Sequence, residues 1–490
     1  MIPARTGRQY LAGLREQERE VWLEGERVKD PTSHPGLRGG ARAIASLYDM
    51  QCDPKLRDEM TYVSPTTGDR VGLSFIIPRT RKDLETRRAM MLNWARTTCG
   101  MMGRSPDFMN VTYAAWAGAA DYFAGGEHGR PEFADNMRRY YEYIRENDLT
   151  LTHSLINLQR SRTVSGIFNL QEGTALEVIR ETDAGIVVRG ARILATLGPL
   201  ADEIGVYSPR MARHAETHSP FAVSFAIPCG APGLKFLCRE SFDLGRSHFD
   251  HPLGSRFEEM DCVVFFDDVL VPWERVFLLG DMDLLNRTAT VTHSSAHSAH
   301  QGAVKNLAKA EFVLGVALLM TQTLGNSQLP HVEERIGELM LYTQLTRACM
   351  RAAEADARLD EWGVMCPDLL MVESPRNLFM TAYPRMVEIL QLLGSSSFML
   401  TPTEADMKGP LGPAIEQYLA TDNSPAKDRV KLFRLAWDIA GTSFGSRQVL
   451  YERFFASDPL TRARALASIY PKQEIMDRVL EFLGRNDDAE

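Results

Sequence analysis

Three histidines at helical spacing are the first residues of this sequence that could do chemistry. His293, His297 and His300 lie four and three residues apart, which would place them on one face of a helix. Histidines at i and i+4 can share a zinc ion. However, no Asp or Glu stands at a fitting offset, and the neighbouring serines are typical of a pocket lining. The pattern therefore favours a pocket wall over a metal site, and we expect no metal.

Arg104 and His153 are two further candidates. Arg104 stands between Gly103 and Ser105-Pro106, and because proline disfavours helix in the residue before it, we expect the arginine at a helix end. A fixed guanidinium stabilises a bound anion, although a salt bridge at the surface or between domains is the commoner role. His153 can take or share a proton because the imidazole pKa lies near neutral pH, although a lone histidine is more often structural.

The hydrophobic pattern changes twice along the chain and so predicts three domains. Helical spacing dominates the first part, which predicts an N-terminal helical domain over residues 1–150. Short β-rich runs separated by Gly, Pro, Asp and Ser follow, which predicts a small antiparallel β domain over 151–284. Helical spacing then returns, which predicts a C-terminal helix bundle over 285–490.

Three shorter segments carry local predictions. The run 263–272 reads as strand, turn and strand, with Pro272 ending the pattern. Residues 19–36 are polar and rich in turn formers, which predicts an extended segment. Residues 394–411 are rich in Ser, Pro and Gly, which predicts a surface loop.

The predicted domain order also bears on cofactors. A flavin fits well in a groove between a β barrel and a helix bundle. No G-x-G-x-x-G motif follows a strand, so the sequence gives no support for a Rossmann-type NAD(P)H or FAD site. We therefore expect the chain to receive its reducing equivalents from another protein.

The composition is that of a soluble globular protein with two to four structural units, since 44% of the 490 residues are hydrophobic and 24% are charged. A net charge of -9 argues against nucleic acid or a membrane as a partner. The seven scattered cysteines form no C-x-x-C pair, which indicates reduced thiols in a cytoplasmic protein. We find no signal peptide and no apolar run near the roughly 18 residues of a membrane span.

Short motifs occur in a fixed order along the chain. They include 19–28 with His34-Pro35, Ser64-Pro65, 103–107, 151–153, 194–196, 301–312, 435–438 and 441–447. Each motif alone is weak, but their order makes a strong signal. Together they resemble the large oxygenase components of the 4-hydroxyphenylacetate 3-monooxygenase family and their chlorophenol-hydroxylating relatives.

The resemblance implies a mainly α, acyl-CoA-dehydrogenase-like fold with a central antiparallel β barrel, assembled as a homotetramer. It also implies FAD that a separate flavin reductase supplies as FADH2, with O2 as co-substrate. The implied reaction hydroxylates a phenol at its ortho carbon through a C4a-hydroperoxyflavin, with halide or nitro release as a variant. The sequence leaves the identity of the phenol open.

The resemblance further assigns substrate contacts. It implies that Arg104 touches the phenolic oxygen, that His153 contacts the substrate, and that a histidine near 293 is the base. His293 fits best as this base, while His297 and His300 stay open as substrate contacts or as the base itself. Phe108 stands where 4-hydroxyphenylacetate hydroxylases usually carry a tyrosine, so an apolar, halogenated or carrier-tethered phenol is as plausible as 4-hydroxyphenylacetate.

Flavin contacts are implied in three segments. The Thr196 hydroxyl matches one that approaches the flavin N5, and arginines near 160 suit a pyrophosphate. The segment 441–447 matches a C-terminal stretch that contacts FAD, although a simple helix break is the alternative. The implied cofactor-binding residues are His153, Ser154, Leu155, Ile156, Gln159, Arg160, Ser161, Arg162, Thr196, Thr442, Ser443, Phe444, Gly445 and Arg447.

Three other functions are compatible with this resemblance. An FAD-dependent acyl-CoA dehydrogenase shares the fold. A 4-hydroxybutyryl-CoA dehydratase would need cysteines for an iron-sulfur cluster, but Gly103 stands where a C-x3-C motif from Cys99 requires the second one. A non-catalytic flavin-binding subunit is the third, and the presence of Arg104, His153 and Thr196 argues against it.

Overall fold

Threonine caps fix where two of the early helices begin. In the computed structural model, which describes residues 4–127, 129–158, 173–207, 218–243 and 245–484, Thr6 and Thr80 each form a capping box with the third helical residue. The elements before residue 150 are α1 (Gly7–Glu16), β1 (Glu20–Leu23), β2 (Glu26–Arg27), α2 (Arg38–Cys52), α3 (Arg57–Met60), β3 (Thr61–Val63), β4 (Arg70–Gly72), α4 (Arg81–Thr97), α5 (Asp107–Gly118) and α6 (Glu132–Glu146).

Strands dominate the middle of the chain, as the alternating pattern predicts. They are β5 (Leu151–Ser154), β6 (Ile156–Asn157), β7 (Glu177–Thr182), β8 (Gly185–Ile193), β9 (Glu203–Tyr207), β10 (His218–Pro228), β11 (Leu234–Cys238), β12 (Cys262–Pro272) and β13 (Val276–Asp281), with the short helix α7 (Gly254–Phe257) before β12. One sheet has the order β2-β1-β11-β12-β8-β6, with β7 also paired to β8, and the other has the order β13-β10-β9-β5.

The predicted antiparallel barrel is not confirmed. Among the described strands neither sheet closes on itself, and β1 with β11 and β5 with β9 are parallel pairs. The segment 19–36 explains part of the difference, because it contains the hairpin β1–β2 and this hairpin extends one sheet at its edge. Pairing between strands that lie some 200 residues apart has no local signature, so the sequence pattern could not show it.

The prediction of strand, turn and strand over 263–272 is wrong, because β12 is continuous. The register shifts between Phe266 and Val269, and Asp268 has a φ of 54°, so the two aspartates form a bulge within the strand. Cations on the two neighbouring strands hold this bulge, since Arg189 bonds to Asp268 at 2.5 Å and Lys235 to Asp267 at 2.9 Å.

Long helices return after β13, as the sequence predicts. They are α8 (Met282–Val291), α9 (Ser294–Leu324), α10 (Pro330–Ala355), α11 (Leu369–Gly394), α12 (Glu404–Lys408), α13 (Gly412–Tyr418), α14 (Ala426–Ala440), α15 (Ser443–Phe454), α16 (Pro459–Ile469) and α17 (Lys472–Phe482), with a hairpin of β14 (Arg358–Leu359) and β15 (Met365–Cys366). The predicted surface loop at 394–411 is only partly a loop, because Thr403 caps α12 within it.

The helix α9 runs through the centre of the fold. It contacts α4, α5, α8, α10, α11 and α14. Contrary to the expectation from the sequence, α9 is long and apolar enough to cross a membrane by length and composition alone, since its 31 residues include an 18-residue window of mean hydropathy 1.4. Its contacts with the surrounding helices identify it as a core helix.

One continuous hydrophobic core joins the three parts of the chain. Buried residues of this core come from the N-terminal helices, from both large sheets and from the C-terminal bundle. The predicted domain limits, 1–150, 151–284 and 285–490, therefore stay a prediction about organisation along the chain. The candidate residues near 104, 153, 196 and 447 come from all three parts, so their placement depends on this shared core.

Candidate active site

Arg104 lies just before α5, at the helix end where the sequence predicts it. Its side chain is buried among aromatic rings. Its guanidinium carbon is 3.9 Å from the centre of the Phe108 ring, with the Tyr451 and Phe455 rings at 5.4 and 5.5 Å. Only 9% of Arg104 is exposed, so the alternative of a surface salt bridge does not apply. The start of α5 is held in turn, because Gln301 of α9 donates to the Asp107 carboxylate at 3.0 Å.

Tyr451 of α15 is the polar partner of the Arg104 side chain. Arg104 Nη1 donates to the Tyr451 hydroxyl at 2.9 Å. The two segments approach so closely that a Cβ on Gly103 would lie 2.1 Å from that hydroxyl oxygen, a distance no side chain tolerates. Gly103 is therefore required by close packing, and the tyrosine fixes the direction of the guanidinium.

His153 lies on β5 next to this arginine. Its ring centre is 5.2 Å from that of Phe108 and 6.2 Å from that of Tyr207, and 4% of the residue is exposed. Burial, with a smaller contribution from the Arg104 charge, lowers the pKa of His153 well below 6.5. The imidazole is therefore neutral at pH 7, and its affinity for a proton is lower than that of a free imidazole.

A chain of buried ion pairs connects Arg104 with Thr196. The Arg104 backbone N–H donates to Glu259 at 2.7 Å, and Arg447 binds Glu259 at 2.9 Å and Asp261 at 2.7 Å. Thr196 donates its hydroxyl hydrogen to Asp261 at 2.8 Å. The Arg447 and Arg239 guanidinium groups hold the pKa of Asp261 well below its ordinary value despite burial. The carboxylate is thus charged and fixes Thr196.

The loop that carries Thr196 is strained on both sides. Leu194 and Leu197 both have a φ of 64°, in the left-handed region that costs about 1–2 kcal/mol for a residue with a side chain. Backbone hydrogen bonds from Ala195 to the Cys262 carbonyl and from Leu197 to the Met260 carbonyl hold the loop in this shape. Such strain often marks a functional position.

The three histidines lie at and just after the start of α9. His293 precedes the helix with a φ of 50°, and its Nε2 lies 3.1 Å from the carboxylate of Glu361. His297 bonds to Arg87 at 2.9 Å and His300 to Glu354 at 2.9 Å, and both are buried. No hydrogen bond or ring contact among the described residues joins any of the three to Arg104 or His153. The common face stays a prediction, because His293 stands just before the helix with left-handed backbone, yet after burial and Arg87 both His300 and His293 act on the pKa of His297.

The predicted flavin-contact residues of β5 and its neighbours are placed as follows. Ser154 is fully buried beside His153, the Leu155 carbonyl accepts a hydrogen bond from Arg192 at 2.9 Å, and Ile156 is 42% exposed on β6. Gln159, Arg160, Ser161 and Arg162 lie outside the described residues. The predicted arginine contacts with a pyrophosphate therefore stay a prediction.

The predicted C-terminal flavin segment is a junction between two helices. α14 ends at Ala440 and α15 begins at Ser443, with the Thr442 hydroxyl as its cap. Gly445 is required there, because a Cβ would lie 2.2 Å from the Ile439 carbonyl oxygen. Phe444 is buried, and Arg447 directs its guanidinium into the ion-pair chain. The junction therefore combines a helix break with a link to Thr196 that runs through Arg447 and Asp261.

The region around His153 has the polar atoms that a flavin needs. The Ser154 hydroxyl, the Tyr113 hydroxyl and the Trp116 indole N–H are buried, and none has a hydrogen-bond partner among the described residues. Trp116 lies edge-on to Tyr207, whose ring stacks beside His153. Buried polar groups without partners are costly, so their presence fits a bound polar aromatic group such as an isoalloxazine ring.

Several residues of this site were not predicted from the sequence. Tyr451, Glu259 and Asp261 lie 347, 155 and 157 positions from Arg104 along the chain. Glu354, the partner of His300, and Glu361, the partner of His293, were not predicted either, because each lies far from its histidine in the sequence. The run of charges at Arg256, Glu258, Glu259 and Asp261, directly before the apolar residues of β12, is the one local signal that could have indicated ion pairs.

Comparison with known proteins gives the family. Residues 6–278 match the family model described as 4-hydroxyphenylacetate 3-hydroxylase N terminal, and residues 285–484 match the corresponding C-terminal model. The chain belongs to the 4-hydroxyphenylacetate 3-hydroxylase family. A relative from Thermus thermophilus, named 4-hydroxyphenylacetate 3-monooxygenase oxygenase component, is 45% identical over 98% of this chain and 97% of its own length.

Solved structures agree with this membership. A crystal structure of such an oxygenase component, complexed with FAD and 4-hydroxyphenylacetate, has a TM-score of 0.93 at 44% identity over 98% of each chain. A glutaryl-CoA dehydrogenase, at 14% identity and a TM-score of 0.50 over 84% of this chain and 85% of its own, shares the fold only. The acyl-CoA-dehydrogenase-like fold, the flavin-dependent aromatic monooxygenase class and the FAD cofactor are confirmed. Neither CoA-enzyme alternative is favoured.

Removal of the Tyr451 hydroxyl tests its effect on Arg104. The variant Tyr451→Phe keeps the ring but frees the guanidinium, so we expect it to stabilise a bound phenolate less well. The pKa of protein-bound 4-nitrophenol, followed by its phenolate absorbance, should rise by about one unit in this variant. Tyr10→Phe, which removes a buried hydroxyl bonded to the Leu200 carbonyl, is the matched control. Equal pKa values in all three proteins would contradict the role of Tyr451.

Acid should destabilise the protein partly through His153. Because the folded pKa lies below the unfolded value of about 6.5, the unfolded chain binds more protons as the pH falls below 6.5. The free energy of unfolding then decreases by at most about 1.4 kcal/mol per pH unit from this group. His153→Gln should show a smaller decrease between pH 6.5 and 5 in urea titrations, whereas the exposed control His331→Gln should match the parent. A parallel pH profile for His153→Gln would refute this assignment.

Proposed function

We propose that this chain is the oxygenase component of a two-component monooxygenase that uses reduced FAD and O2 to hydroxylate a phenol at the carbon ortho to its hydroxyl. The observation that carries the proposal is the buried Arg104 guanidinium, 3.9 Å above the Phe108 ring and beside the neutral His153. This arrangement suits a phenolate, which needs a positive group at its oxygen and an acceptor for its proton.

Arg104 and His153 have complementary roles in this proposal. A ring nitrogen of His153 takes the phenolic proton, and the Arg104 guanidinium stabilises the oxygen anion that remains. Deprotonation makes the ortho carbon electron-rich, which favours attack on an electrophilic oxygen. Tyr451 keeps Arg104 in place, and Phe108 limits the space beside it.

Thr196 and Ser154 are the groups we propose to hold the flavin ring. The Thr196 hydroxyl donates to Asp261, so its oxygen lone pairs are left to accept a hydrogen bond from the cofactor. When bound, reduced FAD supplies the activated oxygen, of which one atom enters the ring and the other leaves as water. Leu155, Ile156, Thr442, Ser443, Phe444, Gly445 and Arg447 complete the proposed cofactor contacts, with Gln159, Arg160, Ser161 and Arg162 as the proposed pyrophosphate contacts.

His153 is a better candidate for the base than His293. One third of the His293 side chain is exposed, and Glu361 lies within bonding distance of its Nε2. Glu354 and Arg87 already bind His300 and His297, which gives these two a role in holding α9 to its neighbours. We therefore assign the proton transfer to His153 and keep His297 and His300 as lower-ranked substrate contacts.

Phe108 bears on the substrate. Its ring offers no hydroxyl to a polar substituent, and the Arg104 guanidinium covers one face of the ring. This favours a phenol with an apolar, halogen or nitro substituent over one with a charged side chain.

We further propose a separate flavin reductase, a homotetramer and a cytoplasmic location. Exposed apolar side chains on α17, Ile475, Met476, Val479 and Phe482, support assembly, because a monomer rarely leaves such a row in water. Cys238 and Cys262 are buried with their sulfurs 3.6 Å apart and remain free thiols, which supports a reducing compartment.

The function is tested by oxygenation with chemically reduced FAD. Simple, chlorinated and nitro phenols are mixed anaerobically with the protein and FADH2, exposed to O2 and scored by product mass, where a gain of one oxygen is expected. Arg104→Gln should lower the rate of product formation about 100-fold or more, because the oxygen anion loses its charged partner. The exposed control Arg453→Gln should leave the rate unchanged. Peroxide without product for every phenol would refute the proposal.

The assembly is tested by light scattering after gel filtration. A tetramer mass is expected for the parent chain. Ile475→Glu combined with Val479→Glu places charge on the apolar face of α17 and should lower the mass of the particle, whereas Arg478→Gln on the same helix should not. A monomer mass for the parent would contradict the proposed assembly.

A further inference from the structure

A basic cleft lies outside the proposed active site, between the start of α2 and the segment that leads into α7. Its volume is about 430 Å³, within the range of small-molecule sites. Side chains of Arg38, Arg42, Arg246, His248 and Arg256 line it. Among the described lining residues, Asp243 is the only carboxylate. The cleft therefore concentrates positive charge on a chain whose net charge is -9.

The charge of this cleft is not neutralised by ion pairs. In the described part of the chain, none of the four arginines has a carboxylate oxygen within the 4.0 Å of a salt bridge. Arg246 bonds to His251 at 2.9 Å and Arg256 to the Pro252 carbonyl at 2.6 Å, so these two interactions leave the positive charge uncompensated. Such a cluster repels itself and needs a reason other than stability.

Arg38 and Arg42 show this cost most clearly. They lie four residues apart on α2, and like charges at this spacing destabilise a helix. The end of α2 that carries them is also its N-terminus, where the positive end of the helix dipole adds to the repulsion, and Leu37 gives no side-chain cap. The Asp243 carboxylate, 3.1 Å from where a Cβ on Gly39 would lie, offsets only part of this charge. An anion in the cleft would remove both penalties at once.

The walls of the cleft are tightly built. A Cβ on Gly39 would lie 2.4 Å from the Ser255 carbonyl oxygen, so α2 touches the opposite wall directly. Ser255 is buried, and its hydroxyl bonds to His248 Nδ1 at 2.7 Å. Burial, with smaller contributions from the Arg256, Arg42 and Arg38 charges, lowers the pKa of His248. Serine hydroxyls 46, 247 and 255 add uncharged donors.

We propose that this cleft binds a small molecule that carries phosphate groups. Several guanidinium forks with hydroxyl donors match the charge and the oxygen geometry of phosphate better than those of a single carboxylate. The volume exceeds what a lone phosphate fills and fits a compound of nucleotide size. The proposal concerns binding to the free protein and does not depend on the proposed hydroxylation.

Two sources of such a ligand share this chemistry. The short helix α7 lies between the cleft and the α14–α15 junction. Its Phe257 lines the cleft, and its Gly254 N–H donates at 2.9 Å to Asp438, near the end of α14. The pyrophosphate end of FAD is therefore one source, since that junction is a proposed flavin contact, and the cleft would then replace residues 159–162 as the pyrophosphate site. A free nucleotide that binds beside the flavin is the other.

Calorimetric titration of the FAD-free protein with inorganic pyrophosphate and with ADP tests the proposal. We expect saturable binding by the parent chain. In the double variant Arg42→Gln with Arg246→Gln, the affinity should fall about tenfold for each guanidinium removed. Both arginines are exposed, so the variant should fold, and its melting temperature should equal or exceed that of the parent. The control Arg351→Gln with Arg453→Gln removes the same charge elsewhere and should bind as the parent does.

The same titration with saturating FAD distinguishes the two sources. Loss of pyrophosphate binding would assign the cleft to the flavin, whereas unchanged binding would assign it to a second ligand. Either result supports a phosphate site. No binding by the parent at millimolar pyrophosphate or ADP would overturn the proposal. Equal weakening in the control variant would also overturn it, because the binding would then follow total charge and not the cleft.

Discussion

The position of Arg447 between Glu259 and Asp261 is the interaction on which the rest of the site depends. The arginine comes from the C-terminal bundle, and both carboxylates come from the segment before β12. Glu259 then holds the backbone of Arg104, while Asp261 holds the hydroxyl of Thr196. One guanidinium thus sets the distance between the residues that we propose for phenol and for flavin.

Buried ion pairs of this kind are a costly way to stabilise a fold, since each charge loses its hydration. The same interior contains Lys305 and Lys309, which share the single carboxylate of Glu452 beside Tyr451. Burial lowers the pKa of Lys305 to about 7, although Glu452 opposes this effect. Such an interior is easier to explain by the geometry that it gives to Tyr451 and Arg104 than by a gain in stability.

Local strain has a similar distribution. Leu194 and Leu197 adopt left-handed backbone on either side of Thr196, and Gly103 permits a contact with Tyr451 that no side chain would allow. These features occur where the proposed ligands meet the protein, and surrounding hydrogen bonds hold them. The basic cleft beside α2 is a separate case, because the one carboxylate in its lining, Asp243, offsets only part of the charge of four arginines. The remaining repulsion is the observation from which we propose a bound phosphate ligand.

The sequence by itself determined the order of helices, strands and helices, the position of Arg104 at a helix end and the family, because local periodicity and short motifs carry that information. It did not determine that β12 is continuous, that His293 stands outside the helix of His297, or that Tyr451 binds Arg104. Strand bulges depend on charges of neighbouring strands, and histidine roles depend on partners such as Glu354 and Glu361. These contacts join residues far apart in the chain, so only the tertiary structure decided them.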